Sequence, residues 1–160
     1  MIGFISTTKC YIEKGGKFLM LHKSKNKKKF PDCWMGPGGK QEPEESIIKT
    51  CIREVKEETD IDIEKPELKI IATHHYPHKE EVYLVFIFVA DWISGEPKKS
   101  DDGELIWIDK EKITSLEKLH SDLKWHIPIL LENRNGIVFT HNEFDESGKV
   151  VKHKIFGEQL

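Results

Sequence analysis

Runs of apolar and alternating residues divide most of the chain into short strands. Residues 5–13 and 17–22 flank the Gly15-Gly16 pair, and this arrangement predicts a β-hairpin. The segment 82–92 is almost continuously apolar, as expected of a strand buried on both faces. The other predicted strands share the same apolar or alternating pattern and are residues 68–75, 104–108, 136–144 and 149–156.

A helical period replaces the strand pattern between Pro43 and Thr59. Pro43 suits a first helical turn, and Glu44 and Glu45 suit the positive end of the helix dipole. The apolar positions fall within about 100° of arc and predict a core-facing stripe. These positions are Ile48, Cys51, Ile52 and Val55.

The order of these elements predicts the class of fold. One or two further helices are expected in residues 113–131, around Pro128. Because strands flank helices without regular alternation, the pattern predicts an α/β (α+β) protein with helices packed on a mixed β-sheet. A doubly wound parallel sheet is not favoured.

Length and composition narrow the class of protein. The 160 residues fit a single domain, 1–160, and 33% charged residues suit a soluble protein. A net charge of −3 gives no general attraction to a nucleic acid polymer or an anionic membrane. No apolar run is long enough to span a bilayer, and the first ten residues lack signal-peptide features. Three widely spaced cysteines are expected to be free thiols in a cytoplasmic protein.

The predicted helix carries a cluster of glutamates. Glu54, Glu57 and Glu58 are spaced so that they project from one side of the helix, beside the apolar stripe. Three carboxylates at this spacing repel one another, and a divalent cation would relieve the repulsion. Oxygen clusters of this kind suit Mg²⁺. Gly38 and Gly39 precede the helix and allow the backbone to approach closely, so a carbonyl there is a candidate further ligand.

The stretch from Gly39 to Ile61 resembles the Nudix box, G-x5-E-x7-R-E-U-x-E-E-x-G-U, where U is aliphatic. Eight of its nine defined positions match. The departure is Asp60, where the pattern has glycine just past the helix, and Asp tolerates a left-handed conformation better than most residues. Glu44 also stands where relatives commonly have glycine.

The resemblance implies a Nudix-like α/β/α sandwich that hydrolyses nucleoside diphosphate derivatives with Mg²⁺ or Mn²⁺. By motif position, Glu54, Glu57 and Glu58 are similar to the metal ligands, joined by the Gly38 carbonyl. Arg53 is similar to the arginine that orients a glutamate, and Glu45 to the motif glutamate that supports the loop or a further metal. Glu54 is favoured as the catalytic base, with Glu57 and Arg53 also in the catalytic set. Either Asp102 or Glu104 in the later acidic loop assists.

Outside the box, the chain resembles the MutT branch, the 8-oxo-dGTP diphosphatases, in the segments KFLMLHK, CWMGPGGKQEP, GELIWI and NGIVFTHNEFDESGKVVKHKI. This implies hydrolysis of oxidised purine triphosphates to a monophosphate and pyrophosphate by a monomer or homodimer. The residues expected to bind substrate are Lys23, Trp34, Met35, Gly39, Asp122 and Trp125. Met35 stands where the human-type enzymes have a purine-binding asparagine. The spacing between Asp122 and Pro128 differs by one residue from the spacing that the resemblance predicts.

Alternatives remain for the identity of the substrate and for whether the protein is catalytic. Another substrate, such as a nucleotide sugar, a dinucleoside polyphosphate or a different triphosphate, is compatible with the same box. A non-catalytic binding module is disfavoured because every box glutamate is present. The group His74, His75 and His78 is expected to face solvent or to lie near the site, rather than to bind a metal.

Overall fold

A computed structural model describes residues 1–99, 101–132 and 135–156. Within these ranges the chain forms nine strands, two α-helices and two short 3-10 helices. The strands are β1 (Gly3–Lys14), β2 (Lys17–Lys23), β3 (Trp34–Met35), β4 (Asp62–Ile63), β5 (Glu67–Tyr76), β6 (Glu81–Ser94), β7 (Gly103–Asp109), β8 (Val138–Phe144) and β9 (Val150–Phe156). The α-helices are α1 (Ile47–Thr59) and α2 (Leu123–Leu131), and the 3-10 helices span Pro77–Lys79 and Lys110–Ser115.

The strands form a mixed sheet in the order β3-β2-β1-β6-β5-β8-β9, with β4 paired to β6 and β7 paired to β2. Strand β1 runs parallel to β6, and β5 runs parallel to β8. The predicted hairpins, β1/β2 and β8/β9, are confirmed. Beyond its turn β2 leaves β1 and pairs along its whole length with β7.

Each face of the sheet packs against one α-helix. On β1, the side chain of Tyr11 enters the core beneath α2, whereas its neighbours Cys10 and Ile12 enter the core beneath α1. This alternation follows from the period of two residues in a strand. The architecture is therefore the predicted α/β/α sandwich with a mixed sheet.

Helix α1 differs from its prediction at its start. It begins at Ile47 rather than Pro43, because Ser46 is the N-cap and its side chain accepts a hydrogen bond from the Lys49 amide. Pro43 and Glu44 form a turn before the helix, where Glu44 has a φ of 69°. That left-handed conformation explains why glycine suits this position.

The predicted apolar stripe of α1 is wrong in two of its four members. Cys51 and Val55 are fully buried, but Ile48 and Ile52 are 50% and 39% exposed. Thr50 and Thr59 complete the buried face instead. Their hydroxyls are satisfied locally, since Thr59 donates to the Val55 carbonyl at 2.6 Å and Thr50 donates to Glu45 at 2.9 Å.

The helical segment around Pro128 is shorter than the 113–131 range that was expected. The 3-10 helix covers Lys110–Ser115, and α2 begins only at Leu123, with Pro128 inside it. In the described part of the chain no helix is both long and apolar enough to cross a bilayer. Cys10, Cys33 and Cys51 are free.

Candidate active site

The glycine loop, residues 36–39, precedes α1 and lies directly against β1. The Thr8 amide donates to the Gly39 carbonyl at 2.8 Å, and the Cys10 amide donates to the Pro37 carbonyl at 2.9 Å. A Cβ on Gly38 would lie 2.0 Å from the Thr8 carbonyl oxygen. Only glycine at this position lets the loop pair with the strand.

Arg53 contacts three carboxylates, one just before α1 and two within it. Its Nε and Nη2 donate to the two oxygens of Glu45 at 2.7 and 3.0 Å, a two-pronged ion pair. Its Nη1 donates to Glu54 at 2.9 Å and to Glu57 at 3.1 Å. The Arg53 guanidinium lowers the pKa of Glu45 from 4.5 to about 2, so Glu45 stays ionised.

Glu54 and Glu58 lie against the glycine loop. A Cβ on Gly39 would fall 2.3 Å from the Glu54 carboxyl carbon, so the absence of a side chain there leaves room for this carboxylate. Glu58 accepts a hydrogen bond from the Gly38 amide at 2.9 Å. Burial raises the pKa of Glu58, against the lowering effect of Lys9 and of that hydrogen bond.

The donor chemistry of this group fits a hard divalent cation. Glu54, Glu57 and Glu58 supply oxygen, and the Gly38 backbone lies beside them. Their oxygens do not all lie within 4.8 Å of one another in the described structure. The Glu57 side chain is 59% exposed, so its carboxylate can turn toward an ion without unpacking the core.

The two candidates for the assisting carboxylate lie at the start of β7, with Asp102 just before the strand and Glu104 within it. The charge of Asp102 is among those that raise the pKa of Glu58, after burial and Glu54, and Asp102 also forms an ion pair with Lys27 at 2.6 Å. Glu104 is paired with His22 in the β2/β7 ladder. The Asp102 carboxylate therefore acts electrostatically on Glu58.

A cavity of about 460 Å³ opens beside the glycine loop. Gly39 lines it, and this residue also contacts Glu54, so the cavity adjoins the carboxylate cluster. Six lysines contribute to its wall: Lys9, Lys23, Lys28, Lys29, Lys40 and Lys79. Burial, and after it the charge of Lys9, lower the pKa of Lys23.

Asp122 lies buried in the wall of the same cavity, at the N-cap of α2. Its Oδ1 contacts His120 Nδ1, and its Oδ2 lies 3.6 Å from His74 Nε2 and 3.5 Å from His126 Nδ1. Burial alone raises the pKa of Asp122, but the neighbouring histidines outweigh it and hold this pKa below its ordinary value. Burial lowers the pKa of His74 to about 3 and also lowers that of His126.

The structure brings four of the six expected substrate-binding residues to this cavity: Lys23, Met35, Gly39 and Asp122. Trp34 and Trp125 are not among its lining residues. Trp34 stacks on His22 with ring centroids 4.4 Å apart, and Trp125 stacks on His153 at 4.2 Å. Both rings therefore already have partners outside the cavity.

Several cavity residues were not identified from the sequence. Lys9 lines the cavity from β1, and the available signal was a lysine directly before the apolar run Cys10-Tyr11-Ile12. His74 is buried on β5, so the expectation that it faces solvent is wrong, although it does lie near the site. His120 and Tyr83 also line the cavity.

Comparisons with known proteins identify the family. The NUDIX domain matches residues 6–132. The chain is 34% identical over 119 residues to an uncharacterized Nudix hydrolase, YvcI of Bacillus subtilis, covering 72% of each chain. It is 28% identical over 122 residues to the oxidized purine nucleoside triphosphate hydrolase of Danio rerio, covering 76% of each. The crystal structure of a MutT protein from Bacillus halodurans superimposes with a TM-score of 0.84 at 25% identity, covering 97% of this chain and 99% of that one.

The chain belongs to the Nudix family. It is a hydrolase that acts on phosphoanhydride bonds, with a small nucleotide as substrate and a divalent metal ion as cofactor. The MutT-like structural neighbour agrees with the branch that the sequence resembles.

Proposed function

We propose that this protein is a Mg²⁺-dependent nucleoside triphosphate pyrophosphohydrolase that acts on oxidised purine nucleotides such as 8-oxo-dGTP. The observation that carries the proposal is a single cavity bordered by the glycine loop at the carboxylates, by lysines and by the buried Asp122. These three features match the reacting phosphates, the negative charge of the triphosphate and the base. The cavity volume also lies within the usual range for small-molecule sites, roughly 300–1,000 Å³.

The state of Asp122 favours a guanine-type base. An ionised carboxylate only accepts hydrogen bonds. The Watson–Crick edge of guanine presents two adjacent N–H donors, whereas the same edge of adenine presents one donor and one acceptor. Since its histidine neighbours keep the pKa of Asp122 low, this carboxylate is suited to accept from the guanine edge and to repel the N1 acceptor of adenine.

The lysines suit the phosphate chain. Lys9 and Lys23 are held at the cavity wall, where Lys9 donates to the Gly36 carbonyl at 3.2 Å. Concentrated positive charge on a concave surface raises the local concentration of an anion. Lys9 also lowers the pKa of Glu58, so its charge acts on the carboxylates as well as on the cavity that it lines.

The carboxylates suit the hydrolytic step. Glu54, Glu57, Glu58 and the Gly38 carbonyl are the residues that would hold Mg²⁺, which neutralises phosphate oxygens and lowers the pKa of an attacking water. Glu54 is the proposed general base, and Arg53 holds its carboxylate from one side while Gly39 leaves it room from the other. Pyrophosphate and the nucleoside monophosphate are the products, and removal of oxidised triphosphates from the nucleotide pool is the proposed cellular role.

The test is a substrate panel containing 8-oxo-dGTP, dGTP, dATP, a nucleotide sugar and a dinucleoside polyphosphate, assayed with Mg²⁺. We expect the highest kcat/KM for 8-oxo-dGTP. In Asp122→Asn, kcat/KM for that substrate should fall by about 10–100-fold, the effect of losing a two-point base contact. Asp91→Asn, an exposed aspartate on β6, is the matched control. Preference for another class of nucleotide, unchanged in Asp122→Asn, would contradict the proposed substrate.

A further inference from the structure

The structure contains a second group of candidate metal ligands, separate from the glutamates of α1. His74 on β5, Asp122 at the start of α2 and His126 within α2 are all buried. One ligand atom from each lies within 4.8 Å of the other two. Asp122 and His126 are one helical turn apart, and the packing of α2 on the sheet brings them to His74, which is distant in sequence.

We propose that His74, Asp122 and His126 form a binding site for a borderline transition-metal ion such as Zn²⁺. Two imidazoles and one carboxylate are a ligand set that suits Zn²⁺ rather than Mg²⁺. The site differs in chemistry from the all-oxygen group on α1, so the two sites select different ions. It also lies at a different place, against the inner wall of the cavity.

The distances in the cluster are close to those that coordination needs. Ligand atoms bound at 2.0–2.1 Å to a tetrahedral ion lie about 3.3 Å from one another. Asp122 Oδ2 lies 3.6 Å from His74 Nε2 and 3.5 Å from His126 Nδ1. Both gaps are too long for a good hydrogen bond, and both need only a small adjustment to hold an ion.

His126 supplies an independent observation. Its side chain is fully buried, and among the described residues none forms a hydrogen bond with its Nδ1. Buried polar atoms are nearly always satisfied. When His126 Nε2 carries the proton and donates it to Thr140 Oγ1, 3.1 Å away, Nδ1 presents its lone pair toward Asp122. A metal ion is a partner that this lone pair can take.

The surroundings resemble the outer shell of a metal site. Metal-binding histidines usually donate their second ring N–H to a neighbour, and ligating carboxylates are themselves hydrogen-bonded. Thr140 is the neighbour that can accept the second ring N–H of His126. His120 is the hydrogen-bond partner of the carboxylate oxygen Asp122 Oδ1. Asn142 Nδ2 lies 3.3 Å from His74 Nε2, so binding requires this amide to give up its contact with the ring.

The site has a consequence for catalysis that depends on the proposed function. An ion on Asp122 Oδ2 would occupy the carboxylate that we propose accepts hydrogen bonds from the base. Zn²⁺ should therefore raise KM for the nucleotide while leaving kcat unchanged at saturating Mg²⁺. The direct binding experiment does not depend on this consequence, because it is done without nucleotide.

In the experiment, the metal-free protein is titrated first with Co²⁺ and then with Zn²⁺. The visible absorption spectrum is recorded after each addition. Four-coordinate Co²⁺ with nitrogen ligands absorbs far more strongly than six-coordinate Co²⁺ bound to oxygen, so the spectrum separates the two sites. We expect one equivalent of strongly absorbing Co²⁺ that Zn²⁺ displaces. Glu57→Gln should retain the signal. Thr140→Val should weaken affinity by about 10–100-fold, the usual effect of losing an outer-shell partner.

His126→Gln and His74→Gln should each weaken the strongly absorbing site by at least about tenfold. His141→Gln, which replaces the histidine next to Thr140 on the other face of β8, is the matched control and should bind as the wild type does. Circular dichroism checks that each variant is folded. The proposal fails if the wild type shows no strong Co²⁺ absorption, if both histidine variants keep it, or if Glu57→Gln abolishes it.

Discussion

The ion pair between Arg53 and Glu45 joins α1 to the turn that precedes it. The Glu45 side chain is only 8% exposed, and it accepts hydrogen bonds from Arg53, Thr50 and the Glu42 amide. Arg53 uses the rest of its guanidinium to contact Glu54, Glu57 and the Lys40 carbonyl. Glu45 therefore acts through Arg53 on Glu54 and Glu57, the carboxylates that we propose are catalytic, and it is a proposed positioning residue.

We expect Glu45→Gln to lower the free energy of unfolding at pH 7. The pKa of Glu45 is about 2 in the folded protein and 4.5 ordinarily. Because the folded-state pKa is the lower of the two, the unfolded chain binds the proton first, and the stabilisation is present above pH 4.5. The difference between wild type and variant should shrink as pH falls from about 4.5 to about 2. Urea unfolding at a series of pH values measures it.

Glu42→Gln is the control for that series, since Glu42 is an exposed glutamate in the same turn. It should follow the wild-type stability curve. A difference between wild type and Glu45→Gln that stays constant down to pH 2 would show that the ion pair with Arg53 is not its source.

Gly39→Ala tests whether the glycine loop gives the Glu54 carboxylate its position. The new methyl group would lie 2.3–2.4 Å from the Glu54 carboxyl atoms and must displace them. We expect kcat to fall by about 100-fold, since a shift of about 1 Å at a catalytic group has this effect. Gly3→Ala is the control, because a Cβ there meets nothing within 4 Å. Activity of Gly39→Ala within threefold of wild type would exclude this role.

The residues of the box could be predicted because their spacing is local. Arg53, Glu54, Glu57 and Glu58 lie on one helix, and the helical period alone relates them. Lys9 and His74 could not be placed in the same way. Their positions depend on which face of the sheet each side chain occupies and on the neighbour that covers this face, and neither is written in the local pattern.

At the scale of the element, α1 ends as the motif requires although the motif glycine is absent. Asp60 is the C-cap residue, with a φ of 62°, and its amide donates to the Lys56 carbonyl at 2.9 Å. A left-handed residue at this position closes the helix, and glycine, asparagine and aspartate adopt it most readily.

We expect Asp60→Gly to change stability by less than about 0.5 kcal/mol, since relief of left-handed strain offsets the greater freedom of glycine in the unfolded chain. Asp60→Ala should lower stability by about 1 kcal/mol, because alanine keeps the strain of the left-handed conformation. Urea unfolding at pH 7 distinguishes the two variants. Equal stability of the glycine and alanine variants would contradict the assigned role of the cap.

The apolar stripe of α1 shows where the helical pattern misleads. Counting apolar residues places Ile48 and Ile52 in the core, but the helix is rotated so that Thr50 and Thr59 are buried. Threonine hydroxyls that donate to a carbonyl one turn earlier lose their polar character for packing. A pattern that counts threonine as polar therefore misses the buried positions of Thr50 and Thr59. The same pattern does not identify Ser46 as the N-cap.

At the scale of the whole molecule, the mixed sheet assembles the site from distant segments. The parallel β1/β6 pair places Lys9 beside Ile87, and the parallel β5/β8 pair places His74 beside Asn142. The glycine loop is hydrogen-bonded alongside β1, and α2 brings Asp122 to the same cavity. The sequence predicted the class of fold and both hairpins, but not these long-range pairings. For this reason the glutamates of α1 could be grouped from their spacing alone, whereas the cavity residues contributed by β1, β5 and α2 could not be grouped in this way.

The most direct test of the account is release of pyrophosphate from 8-oxo-dGTP by the wild type and by Glu57→Gln, with Mg²⁺ present and after its removal. We expect turnover that requires Mg²⁺ and that falls by at least about 100-fold in Glu57→Gln, because the variant loses one oxygen ligand and its negative charge. Lys49→Gln, on the exposed side of α1, should retain wild-type turnover. Turnover that persists in Glu57→Gln, or that does not need the ion, would contradict the assignment of the active site to this carboxylate helix.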